Sequence, residues 1–184
     1  VFEDKIDYDV IKSFIINCCS KGCINLFNYL ITLKIYVTNV NCDDITDIFI
    51  SMLKGGNPTI IKQGIDMNYM NICTNETDFK NLFPHACRGG NIAIIQYIFS
   101  SSYEFDNETI YQSLINSCYS GSRTLKTVIK MFTGFCIPED IQLKMLDTLS
   151  ICNNLEGMKY LIEMWNLSSF NCHFMYKHAC MNSN

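Results

Sequence analysis

Eleven cysteines and three histidines are the residues of this 184-residue chain best suited to chemistry. A thiolate is a nucleophile and, like imidazole, a zinc ligand, so spacing decides what to expect of them. Cys18-Cys19 with Cys23 has no second C-x-x-C and no histidine nearby, which falls short of a zinc set. His173, near Cys172 and His178, has no better-spaced company. Eleven is odd, and disulfide frameworks belong to small secreted domains with thin cores. With 48% hydrophobic residues this chain has ample material for a core, so reduced and mostly buried thiols are expected. His85 and His178 each precede an Ala-Cys pair and read as structural histidines satisfied by backbone. No phosphate-cradling G-x-x-x-x-G-K or G-x-G-x-x-G occurs, nor H-E-x-x-H or G-x-S-x-G. The expectation is a protein that is not an enzyme and takes no cofactor or metal. Asn75, Asn107 and Asn166 open N-x-S/T triplets, which an Asn-rich chain carries by chance.

The cysteines have a second property. Cys19, Cys87, Cys118 and Cys180 stand at one recurring position, inside a phrase that repeats along the chain. Ala86-Cys87-Arg88-Gly89-Gly90-Asn91-Ile92-Ala93-Ile94-Ile95-Gln96-Tyr97-Ile98 shows it best, and Leu53 to Lys62 and Cys19 to Leu30 are its upstream copies. Positions 22, 56, 90, 121, 153 and 183 mark the turn of each copy, in steps of 34, 34, 31, 32 and 30. A period near 33 is the mark of stacked units, none of which buries its apolar face alone.

Each unit must supply two helices to position these residues. The spacing predicts pairs over 9–20 and 24–33, 43–54 and 58–63, 78–88 and 91–100, 108–120 and 122–132, and 138–151 and 155–164. A sixth unit begins over 174–180. Gly89-Gly90 suits a turn needing positive φ. Pro58 and Pro138 suit helix starts, where no N–H is missed. Asp106 or Asn107 is placed to cap the fourth pair. Tyr29 and Tyr97 occupy matching second-helix positions and are expected in the core or half in it. Tyr36, Tyr69, Tyr103 and Phe105 fall in connectors, where they either pack over the repeat edge or are offered to partners.

The phrase at 86–98 resembles the ankyrin-repeat sequence A-A-x-x-G-x-L-x-I-V-x-x-L. Gly64-Ile65-Asp66 is similar to the family's G-A-D connector, whereas Asn81-Leu82-Phe83-Pro84 replaces its T-P-L-H opening. The resemblance implies an all-α, ankyrin-like solenoid of about five helix pairs plus a partial sixth, with residues 1–184 as one repeat domain. It also implies a non-catalytic protein-interaction scaffold. In ankyrin proteins the residues just before the turn glycine line the concave face. Carried over, these are Ser20/Lys21, Lys54/Gly55, Arg88/Gly89 and Tyr119/Ser120, and the expected partner-binding residues are Lys21, Lys54, Arg88 and Tyr119. With 25 Ile and 19 Asn but three Ala and two Arg, the chain resembles ankyrin proteins of large DNA viruses. That implies a host-interaction role in the cytoplasm. Residues 137–146 also resemble the opening of an F-box, which offers an alternative role as a ubiquitin-ligase adaptor. A self-assembling structural or virion component is a third reading.

Charge and hydropathy narrow the partner. Fourteen basic residues against 18 acidic ones, a net charge of −4, leave no clustered positive surface for nucleic acid. No apolar run approaches the ~20 residues of a membrane span. A protein partner is expected, self-association included. The opening Val1-Phe2-Glu3 lacks a starting Met, from which the chain is expected to be a piece of a longer protein.

Overall fold

The computed structural model describes residues 7–73, 78–101 and 104–166. Among them it has twelve α-helices and no strand. In order these are α1 (Tyr8–Lys21), α2 (Ile24–Leu30), α3 (Lys34–Asn39), α4 (Cys42–Gly55), α5 (Pro58–Asp66) and α6 (Tyr69–Cys73). They continue with α7 (Asp78–Gly89), α8 (Ile92–Ser101), α9 (Asn107–Ser117), α10 (Ser122–Met131), α11 (Glu139–Ile151) and α12 (Leu155–Trp165). The five expected pairs are α1/α2, α4/α5, α7/α8, α9/α10 and α11/α12. The expected sixth helix at 174–180 lies outside the described residues, as do Tyr103, His173, His178, Cys172 and Cys180.

Local chemistry starts the helices where the sequence puts caps. Asp7 accepts the Asp9 N–H at the head of α1, and Asp106 accepts the Thr109 N–H at 2.7 Å at the head of α9. Asn41 and Asp44 form a reciprocal capping box on α4. Asn57 caps α5 with Pro58 at its first position, and Asn154 caps α12. The five described turn positions read from the repeat adopt positive φ: Gly22 at 72°, Gly56 at 66°, Gly90 at 76°, Gly121 at 106° and Asn153 at 52°; the sixth, 183, lies outside the described residues.

The first helices touch in chain order, α1 to α4, α4 to α7, α7 to α9 and α9 to α11, and each also packs on the second helix of its own unit. Close approach of backbone makes this contact tight. A Cβ on Gly55 would collide with the Cys19 carbonyl oxygen, and one on Gly89 with that of Leu53. One unit further on, Ser120 fills the same place and donates its hydroxyl to the Cys87 carbonyl at 2.9 Å. Between these layers Cys19, Leu53, Cys87 and Cys118 are all but fully buried, as expected of the recurring thiol position. Of the described cysteines, Cys23, Cys42 and Cys136 are exposed.

Of the two places open to the connector aromatics, the described ones take the packed one. The first two connectors contain short helices, α3 and α6, whose Tyr36 and Tyr69 are buried and share a hydroxyl–hydroxyl hydrogen bond of 2.7 Å. Phe105 is half-buried in a cluster with Phe83, Phe99 and Phe132, its ring centroid 4.7 Å from that of Phe83. These rings close the edge of the core and are not offered to a partner. Tyr29 and Tyr97, expected in the core or half in it, are 61% and 53% exposed. They point roughly 100° round the helix from the buried Leu30 and Ile98, which take the core face instead.

Candidate functional site

Lys54 and Arg88 lie two residues before their turn glycines, in the last turns of α4 and α7; Tyr119 holds the matching place just after α9. All three are exposed, because the neighbouring positions are spent on stacking: Gly55, Gly89 and Ser120 meet the preceding unit, and Leu53, Cys87 and Cys118 are in the core. Lys21 is exposed too, but it stands one place later in the register, so Ser20 holds the row position in the first unit. Of the four expected partner-binding residues, the structure brings Arg88 and Tyr119 together. The Arg88 guanidinium carbon lies 4.5 Å from the centre of the Tyr119 ring, a cation–π contact across adjacent units.

The cations have a local function as well. Lys21, Lys54 and Arg88 each sit in the last helical turn, where positive charge favours the negative end of the helix dipole. Near Lys54 and Arg88 is His85, whose Nδ1 is buried without a hydrogen-bond partner. The backbone satisfaction expected for His85 is absent at that atom. Burial, with Lys54 and Arg88 adding repulsion, lowers its pKa to about 4, so the imidazole is neutral. Sequence reading missed this coupling, since His85 precedes Arg88 by one helical turn but reaches Lys54 only through the stacking of α4 on α7. Two other polar groupings were equally hidden. Buried Asp44 takes the Tyr8 hydroxyl at 2.5 Å and the Lys12 ammonium at 2.6 Å, joining α1 to α4. Glu156 takes the Ser122 hydroxyl at 2.7 Å and Lys126 at 3.0 Å, with Lys126 also 5.4 Å from the Tyr160 ring centre.

At the connector end of the last two pairs, a groove of about 420 Å³ opens between residues 132–137 and α12, with Phe135, Ile137, Tyr160 and Trp165 in its wall. The F-box-like segment 137–146 forms the start of α11. Its Ile141, Met145 and Leu146 are buried, and α11 packs on α9 and α12, so those side chains are occupied within the fold. Among the described residues no three His, Cys, Asp or Glu side chains gather as a metal site would need. No described helix is long and apolar enough to cross a membrane. Set against known proteins, the chain matches no family model, no curated protein and no solved structure.

Proposed function

We propose that the chain is an ankyrin-like array of stacked helix pairs acting as a non-catalytic scaffold, which takes a protein partner on the turn-side row led by Arg88 and Tyr119. One observation carries the reading: the exposed Arg88–Tyr119 stack, built across two units at positions that stacking leaves free. Arg and Tyr are the residue types most often found to dominate interface energetics. Holding them against each other before a partner arrives reduces the entropy lost on binding. Lys54 extends the row with a second cation, and among the described residues neither it nor Arg88 has a carboxylate within ion-pair reach. The row therefore suits an acidic or mixed-polarity protein surface.

The test is the double variant Arg88→Ala with Tyr119→Ala, compared with the parent for melting temperature and for the proteins captured from cells. Both side chains are exposed, so the melting temperature is expected to fall by no more than about 2 °C. A partner held by this row disappears from the captured set. Unchanged capture by the folded variant removes the row as the binding surface.

A further inference from the structure

The end of the stack at α1 departs from the burial pattern of the later units. Eight residues before each turn, Ile48, Leu82, Ser113 and Met145 are at most 2% exposed, yet Phe14 in the first unit is 53% exposed. Twelve residues before the turn, Asp44, Thr109 and Ile141 are buried, while Val10 is 45% exposed. At the third position of the second helix, Ile60, Thr124 and Gly157 are buried and Ile94 is half-buried, while Leu26 is exposed. The side these positions face is known from Asp44, which is bonded to Tyr8 and Lys12 of the preceding unit's first helix, and from Thr124, whose hydroxyl donates to the Gly90 carbonyl of the preceding unit at 3.4 Å. Val10, Phe14 and Leu26 thus form the surface that, in later units, receives the unit before.

We propose that this surface of α1 and α2 is an inter-repeat interface, covered in the native polypeptide by a further helix pair of the same kind. The residue types support the assignment. A unit that ends a stack needs a polar outer face. Here all three positions are apolar on the exposed unit, whereas the buried interface of the fourth unit uses Thr109 and Ser113 at the two α9 positions. The register selects the occupant: the matching face of α4 receives the first helix of the unit before it, α1. A unit joined through the backbone also avoids the association entropy that a free partner must overcome. The expected occupant presents a first helix with apolar residues matching Ile11 and Ile15, the side that α1 turns toward the core it shares with α4.

The inference rests on the stacked-array part of the proposed function and is independent of the Arg88–Tyr119 row, so loss of one leaves the other standing. The experiment has two arms. First, a second copy of residues 7–40 is fused ahead of Asp7, which places its Ile11 and Ile15 one repeat before Val10 and Phe14. The melting temperature is expected to rise by about 3 °C or more over the 184-residue chain. Phe14→Asp is expected to abolish that rise while shifting the unfused chain little, because Phe14 is exposed there. No rise, or the same rise with Phe14→Asp, overturns the proposal. Second, a photo-crosslinking residue replaces Phe14 in the polypeptide expressed in its native setting. A crosslink to residues ahead of Val1 on the same polypeptide supports it. A crosslink to a second copy, to another protein, or to nothing overturns it.

Discussion

His85 is the residue whose surroundings make the sharpest demand. It is neutral in the fold because burial and the charges of Lys54 and Arg88 oppose its protonation, which lowers its pKa to about 4. In the unfolded chain it titrates near the ordinary 6.5, so between those values the unfolded state binds more protons. Stability attributable to His85 is thus complete above about pH 6.5 and is lost as the pH falls toward 4. Denaturant midpoints across that window are expected to decline for the parent and to flatten for His85→Gln. Asp44 acts lower on the scale. Burial alone would raise its pKa, but bonds from Lys12, Tyr8 and the Asn41 N–H outweigh it and hold the carboxyl below the usual range. Its contribution is present above the ordinary carboxylate pKa and fails only as the pH falls further. The thiols give a second check. Burial pushes Cys19 up to about 12 and Cys87 and Cys118 higher still. A thiol reagent added to the native protein is expected to label Cys23, Cys42 and Cys136 promptly and to spare these three.

Helices meet through missing side chains as much as through present ones. In an ordinary exposed helix, Ala is favoured over Gly by about 1 kcal/mol. Gly89 reverses that order, since a Cβ would strike the Leu53 carbonyl oxygen at the end of α4 and crowd Gly56 as well. Gly89→Ala is therefore expected to cost about 2–3 kcal/mol, read from urea unfolding, as α7 is pushed off α4. At Gly134, by contrast, a Cβ would meet no atom within 4 Å, although the backbone φ is 89°. Gly134→Asn is expected to cost no more than about 1 kcal/mol, because only the left-handed backbone opposes it.

Among the described residues, the main helix–helix contacts lie within a unit or between neighbouring units, as a row of stacked units would require. Stability in such a row is a sum of unit and nearest-neighbour contributions, so units with a neighbour on both sides open last. Hydrogen exchange followed by mass spectrometry is expected to show the slowest amides in α4, α7 and α9. Exchange in α1 and α2, whose outer surface carries the exposed Val10, Phe14 and Leu26, is expected to be faster. Uniform protection from α1 to α12 would contradict a row-like stack.

The period of the sequence alone determined the five helix pairs, their turns and the thiol layer. Those features depend on local rules, namely capping, positive φ at Gly22, Gly56, Gly90 and Gly121, and apolar spacing within a turn or two of helix. The exposure of Lys54, Arg88 and Tyr119 followed from the same register. What lay beyond it was every contact between residues about a repeat apart. The Arg88 stack on Tyr119, the Asp44 bonds to Tyr8 and Lys12, and the Tyr36–Tyr69 hydrogen bond all depend on how far one unit is turned and shifted on the next. That offset is set by side-chain volume across the interface and by the absence of a Cβ at Gly55 and Gly89. The connector rings Tyr36, Tyr69 and Phe105 were open to either packing or exposure for the same reason: a loop-like stretch becomes core only once neighbouring units stand close enough to enclose its rings.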